Sequence, residues 1–347
     1  MLPTPAAGDR TRLGTGTMEL DELQARLVPF VREKLGDPGA RVENVRKGPG
    51  HAGFSYFFDA VMSSGERREY FLRLPPPGVK LEGTADLMRQ VTAVRALEGT
   101  GVPHAPILWA GTEPDWFGLP YFVQPRLPGD TLKDDYPERF SDAQLREMAR
   151  QAMTALAGIH RVPRERLGYL GEFWGYEFDV TRWDRFYERA AEPELLALQP
   201  RVKELLLRNI PHEAPIGLYH GDFQWSNLLY SPEGELLAVI DWELCGVGPT
   251  LNDLGWVCVF SDPSAWAHDR ASRMPHADEL EAWYWEAMGG RPGDIRWFKA
   301  LAAYKFGIIT GFNLMLHRRG KRHDPHWEEI APSMQSNMEY ALRMLGG

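Results

Sequence analysis

The sequence predicts an α+β chain in two parts, a strand-rich first part and a longer, mostly helical second part. Three observations predict it. Short apolar and aromatic runs bounded by Gly, Pro and Ser recur between residues 41 and 124. From Ser141 onward the apolar residues fall three and four apart. Within that helical part, Leu218–Glu243 departs from the period, with two short strand-like runs joined by a turn. The expected organisation is a tail over residues 1–17, a first part over 18–125 and a second part over 126–347.

Composition bounds the rest. With 347 residues, 44% of them apolar, the chain can bury a sizeable core, and 25% charged residues is ordinary for a globular protein. The net charge of −9 argues against a polyanionic partner such as nucleic acid. The two cysteines, Cys245 and Cys258, form no C-x-x-C and imply no disulfide framework; Cys245 reads as a small buried filler. No apolar run has the length of a membrane-spanning helix, and residues 1–17 lack the apolar core of a signal peptide. A reducing cytoplasm is the expected compartment, with no membrane partner.

The elements follow in order. Met1–Thr17 is rich in Pro, Gly, Thr and Ala without periodicity and reads as a disordered tail. Leu20, Leu23, Leu27, Val28 and Val31 make Met18–Leu35 a helix, ended by Gly36 and Pro38. Arg41–Lys47 reads as a strand. The Gly48–Gly53 stretch matches G-x-G-x-x-G. A dinucleotide fingerprint of that form opens a helix, whereas Phe54–Met62 is aromatic and apolar and reads as a second strand. A Gly-rich loop between two strands suits main-chain N–H groups covering phosphates, with a plain hairpin turn as the alternative. Pro49 removes one such donor, and Ser55 adds a hydroxyl. Glu69–Leu74 is the third strand, Thr84–Leu97 a helix, and Ile107–Gly111 and Leu119–Gln124 two further strands.

The second part begins with a helix capped by Ser141 or Asp142 and ending at His160, which reads as a core or helix-end histidine. Leu167–Trp183 is dense in aromatics and Gly; Trp183–Ala190 and Pro193–Ile210 read as helices. Trp174, Tyr176, Trp183 and Tyr187 suit either stacking on a ligand or core packing. Leu254–Phe260, Ala277–Met288, Ile295–Leu316 and Trp327–Leu345 are the remaining helices. The basic run His317–His323 reads as a solvated helix end and turn.

The chemistry is concentrated in Leu218–Glu243. His220-Gly221-Asp222 comes first, Asn227 follows five residues after the aspartate, and a hairpin through Ser231–Gly234 leads to Asp241-Trp242-Glu243. Phosphoryl transfer needs a base for the acceptor hydroxyl and an Asn oxygen plus a carboxylate to hold Mg²⁺; the Asp-to-Asn spacing is that of a kinase catalytic loop. A metal-dependent hydrolase using His220, Asp222 and Asp241 is a competing reading.

The H-G-D-x-x-x-x-N…I-D-W-E pattern, with Gly246–Pro249 and Asp253-Leu254 after it, resembles the aminoglycoside phosphotransferase and choline kinase group. Within that group the chain resembles most the branch also found fused to some acyl-CoA dehydrogenases. The resemblance runs from about Arg41 to the end. It implies a two-lobed protein-kinase-like fold, with an antiparallel sheet in the small lobe and a mostly helical large lobe. ATP (GTP being the alternative nucleotide) and Mg²⁺ are implied between the lobes, with a small hydroxylated molecule as phosphoryl acceptor. By resemblance Asp222 is the base, His220 orients the loop, Asn227 and Asp241 hold the metal, and Asp253 anchors the loop backbone. Gly50, Gly53 and Ser55 cover the phosphates, Arg73 steadies them in place of the usual Lys, Gln90 stands where a Glu would pair with it, and Gln124 lies in the hinge. The Arg73 and Gln90 departures motivate an alternative, a nucleotide-binding protein with weak or no transferase activity.

Overall fold

The computed structural model describes residues 18–48, 54–76, 78–132, 136–267, 273–290 and 293–347. Gly50 and Gly53 lie outside these residues, as does all of 49–53. The chain forms two compact units, one of residues up to Arg95 together with Ala105–Leu127, the other of Ala96–His104 and Pro128–Gly347.

The first unit holds helix α1 (Leu20–Leu35) and five antiparallel strands, β1 (Arg41–Lys47), β2 (Phe54–Val61), β3 (Arg67–Leu74), β4 (Trp109–Gly111) and β5 (Tyr121–Pro125), ordered β1-β2-β3-β5-β4. Alternation builds its core: Tyr56, Phe58 and Ala60 on β2 and Tyr70 and Leu72 on β3 are buried together with Leu23, Leu27, Phe30 and Val31 of α1. Phe30 meets Trp109 and Tyr121 edge-on, at ring-centroid distances of 5.7 and 5.5 Å. Helix α2 (Leu87–Ala96) starts later than the periodicity predicts. Asp86 is extended and accepts the Met88 N–H at 2.9 Å, which makes it the cap, and Gly83–Ala85 is a separate 3₁₀ turn.

The second unit carries β6 (Asp130–Thr131), α3 (Asp142–His160), α4 (Tyr176–Thr181), α5 (Asp184–Tyr187), α6 (Gln199–Arg208) and β7 (Ile216–Tyr219). It continues with β8 (Leu228–Tyr230), β9 (Leu236–Val239), β10 (Gly246–Pro249), α7 (Leu251–Phe260), α8 (Ala277–Met288), α9 (Arg296–Arg318), α10 (His326–Ile330) and α11 (Ser333–Leu345). Ser141 and Gln144 close a capping box on α3. Three departures from the sequence reading have local causes. The helices expected over residues 183–190 and 193–210 are shorter, with Glu192 at φ 50° and a 3₁₀ turn over Pro193–Leu196 between them. The last helix is two, parted at Pro332. Gly246–Pro249, too poor in side chains to read as a strand, pairs with β7.

Helix α9 is the spine of this unit, with Ala300, Leu301, Tyr304 and Ile308 fully or almost fully buried. Its approach to α7 is close: a Cβ on Gly255 would lie 2.6 Å from the Phe298 carbonyl. Among the described residues no helix is long and apolar enough to cross a membrane.

Candidate active site

Strand β7 delivers the loop. It pairs antiparallel with β10, Tyr219 opposite Gly246, and the chain then turns into His220-Gly221-Asp222. Gly221 has φ +89°, and a Cβ there would lie 2.4 Å from the Leu244 carbonyl oxygen, so no other residue fits without a shift.

The loop backbone hangs on one carboxylate. Asp253, on α7 and 1% exposed, accepts the main-chain N–H of His220 at 2.6 Å and of Gly221 at 2.8 Å. His160 Nε2 lies 3.2 Å from the same carboxylate, and its Nδ1 is 2.9 Å from the Tyr284 hydroxyl. Burial pushes the Asp253 carboxyl up, but His160 and the His220 N–H outweigh it and hold the group below the ordinary aspartate value. His160, read as a core or helix-end histidine, is therefore part of the loop's anchor.

His220 is fully buried. Its Nε2 lies 2.9 Å from the Ile240 carbonyl and its Nδ1 accepts the Asp222 N–H at 3.3 Å, so the neutral ring carries its proton on Nε2. Ile240 in turn donates its N–H to the Asn227 carbonyl at 2.9 Å. Ile240, the residue before Asp241, thus ties the His220 ring through its carbonyl to the Asn227 backbone through its N–H. Asp241 sits in the left-handed region, φ 63°, ψ 62°, where Asp is among the better tolerated residues. With both His220 nitrogens engaged, the hydrolase reading loses its ligand. Among the described residues no group of three or more His, Cys, Asp and Glu side chains is arranged to hold a metal ion.

The Asp222 carboxylate is held from three sides. Oδ1 accepts the Trp256 indole N–H at 2.9 Å, Oδ2 accepts Asn227 Nδ2 at 2.9 Å, and Gln224 Nε2 is 3.0 Å from both oxygens. Asn227 also gives Nδ2 to the Asp222 carbonyl at 2.8 Å. Its amide nitrogen is spent on Asp222, which leaves the amide oxygen as the atom offered to a cation. An Asn oxygen next to an aspartate is a hard oxygen donor set, the kind that fits Mg²⁺ completed by phosphate oxygens. Trp256 and Gln224 were missed by the sequence reading. Gln224 lies inside the D-x-x-x-x-N spacing, and Trp256 lies one helical turn after Asp253, hidden in an apolar run.

In the first unit Ser55 and Arg73 are directly opposed on β2 and β3, and Arg73 Nη1 donates to Ser55 Oγ at 2.8 Å. Gln90 is buried, makes no hydrogen bond to Arg73, and among the described residues its amide nitrogen has no acceptor. Gln124 gives its side-chain N–H to the Ala105 carbonyl at 2.6 Å. Of the four aromatics weighed for ligand stacking, Tyr176 is 6% exposed and packs edge-on against Phe173 and Trp297, whereas Trp174 is 74% exposed. Trp183 lies beside Lys305.

Comparison with known proteins gives the family and the fold. The chain is 29% identical over 217 residues to the probable acyl-CoA dehydrogenase IBR3 of Arabidopsis thaliana, covering 58% of this chain and 26% of that protein. It is 28% identical over 258 residues to human acyl-CoA dehydrogenase family member 11, covering 70% and 33%. The chain therefore spans about a quarter to a third of the length of these relatives. Among solved structures, a putative aminoglycoside phosphotransferase of Ralstonia eutropha superposes with a TM-score of 0.74 at 21% identity, over 92% of this chain and 98% of that one. Aminoglycoside phosphotransferase APH(4)-Ia, in a ternary complex with ADP and hygromycin B, gives 0.59 at 16%, over 92% and 99%. The GDP complex of aminoglycoside 2'-phosphotransferase-IIIa gives 0.60 at 15%, over 92% and 99%. These likenesses give the protein-kinase-like fold. The model of the phosphotransferase enzyme family matches residues 56–291, more than half of the chain. With the fold and the H-G-D…N…D loop, that match makes this chain a member of the phosphotransferase enzyme family.

Proposed function

We propose that the chain is an ATP- and Mg²⁺-dependent kinase that moves the γ-phosphoryl group to a hydroxyl of a small molecule in the cytoplasm. The observation that carries this is the Asp222–Asn227 pair: one amide nitrogen fixes the carboxylate, which leaves the amide oxygen for a cation. The nucleotide complexes of the structural neighbours support a nucleotide here, with GTP as the alternative.

In this reading Asp222 takes the proton of the acceptor hydroxyl as its oxygen bonds to the γ-phosphorus and the bond to the leaving diphosphate breaks. Gln224 Nε2, shared between both Asp222 oxygens at 3.0 Å, is the contact an acceptor hydroxyl would have to replace in this reading. Asn227 and Asp241 would hold Mg²⁺, which would supply positive charge for the phosphate oxygens. In the first unit Ser55 and Arg73 are the groups for phosphate oxygens, and Gly50 and Gly53 belong to the loop that would cover them.

Thermal unfolding with and without ATP and Mg²⁺, in wild type and Asp241→Ala, tests the reading. A Mg²⁺-dependent upward shift lost in the variant supports it. No shift with millimolar ATP or GTP overturns it. The unpaired Gln90 favours a second reading, a nucleotide-binding protein with little transferase activity. Gln90→Glu separates the two, since gain of turnover in an otherwise silent protein favours the second, and an active wild type removes it.

A further inference from the structure

Helix α9 carries two buried lysines, and among the described residues only one of them has an ion-pair partner. Lys299 is 7% exposed and its Nζ lies 3.1 Å from Glu281. Lys305 is 9% exposed, and among the described residues no hydrogen bond or ion pair engages it. Its Nζ rests instead against two indole faces, 5.2 Å from the Trp256 ring and 5.7 Å from the Trp183 ring.

The carboxylates whose fields reach Lys305 are Asp179, Asp253 and Asp222, with Arg182 opposing them. Each carboxylate is already occupied. Asp179 accepts from Asn252 at 3.0 Å and pairs with Arg182 at 2.9 Å. Asp253 holds the loop backbone, and Asp222 holds Gln224, Asn227 and Trp256. Burial pushes the Lys305 ammonium below the ordinary lysine value. A buried cation without a counter-ion is costly to the fold. Trp256 links this group to the catalytic carboxylate: its N–H is bound to Asp222 and its face lies against Lys305, so one rigid ring sets their spacing.

We propose that Lys305 is a specificity-determining residue that receives an anionic oxygen group, carboxylate or phosphate, of the hydroxylated acceptor. The proposal rests on the kinase reading above. The acceptor's hydroxyl meets Asp222 at the N–H edge of the Trp256 ring and its anion meets Lys305 at the ring's face. Alcohols with a cationic amine at that distance are disfavoured.

The test is thermal unfolding with ADP and Mg²⁺ saturating and gluconate, glycerol phosphate, gluconamide or choline added at millimolar concentration. The wild type is stabilised by gluconate or glycerol phosphate, at least about tenfold more tightly than by gluconamide or choline, as a charge-assisted contact requires. Gluconate and glycerol phosphate separate the carboxylate from the phosphate. Lys305→Arg keeps the preference, and Lys305→Met erases it. Without ligand, Lys305→Met melts on the order of a few degrees higher, because an uncompensated buried charge is gone. The proposal is overturned if no anion stabilises the wild type, if the preference survives in Lys305→Met, if choline or gluconamide binds as well, or if ligand-free Lys305→Met melts lower. Failure of ATP and Mg²⁺ to shift the wild type would instead sink the kinase reading.

Discussion

Trp256 donates its indole N–H to Asp222 Oδ1 at 2.9 Å. It does so from α7, three residues after Asp253, which accepts the main-chain N–H groups of His220 and Gly221. One turn of one helix therefore fixes both the loop's backbone and the carboxylate that the backbone carries. Trp256→Phe keeps an aromatic face and removes the donor together with part of the indole volume. A hydrogen bond to a charged group is worth about 1.5–3 kcal/mol, so turnover falls on the order of tenfold or more. Stabilisation by ATP and Mg²⁺ is unchanged. Steady-state kinetics check this, and a turnover within twofold of wild type would remove Trp256 from the machinery.

Asp222→Asn keeps the shape of the side chain and removes the proton acceptor. Turnover drops about 10²–10⁴-fold, the usual contribution of a general base. The Mg²⁺-dependent thermal shift survives, since Asn227 and Asp241 are intact. Retained turnover in a protein that still binds nucleotide would move the base elsewhere.

Asp253 makes a prediction about pH. Its carboxyl is held below the ordinary value in the folded chain, so the folded state binds that proton less readily than the unfolded one. The stability this contributes is complete above the unfolded aspartate value, about 3.9, and is lost as pH falls through the lower folded value. Asp253→Asn loses the charged acceptor of two buried N–H groups and is destabilised by about 2–4 kcal/mol at neutral pH. Urea midpoints of wild type and variant converge below about pH 4, where the carboxylate of the unfolded wild-type chain begins to be protonated while the folded one stays charged. A gap that stays constant down to pH 3 would mean that Asp253 is not held by its charge.

Much of this was legible in the sequence for a physical reason. The strands of the first unit are short, aromatic and bounded by turns, so the period of two is visible over β1, β2 and β3. Asp222, Asn227 and Asp241 lie at fixed offsets within one local hairpin, and local geometry is what sequence spacing encodes. What could not be read is long-range. Trp256 reaches Asp222 across 34 positions, and Lys305 is placed by the contact of α7 and α9 that Gly255 permits. β10 was invisible because Gly246, Gly248 and Pro249 have little β propensity, and its pairing is dictated by β7. Gln90 occupies the expected helix, yet spacing alone did not reveal that Arg73 reaches Ser55 across the ladder and makes no bond to Gln90.

Gly221 separates backbone strain from steric collision. Gly65 and Gly221 have almost the same φ, +88° and +89°. A Cβ on Gly65 meets nothing within 4 Å, whereas one on Gly221 lies 2.4 Å from the Leu244 oxygen and 2.8 Å from the Leu244 carbonyl carbon. Gly65→Ala therefore measures the left-handed conformation alone, about 1–2 kcal/mol. Gly221→Ala adds displacement of the 3₁₀ turn Trp242–Leu244, which directly follows Asp241. The expected loss is at least about 2 kcal/mol beyond that of Gly65→Ala. Because the displaced turn adjoins Asp241, which would hold Mg²⁺, the Mg²⁺-dependent part of the ATP shift shrinks in Gly221→Ala and not in Gly65→Ala. Equal losses in the two variants, with equal nucleotide shifts, would show that the loop yields to a methyl group and that its glycine serves conformation alone.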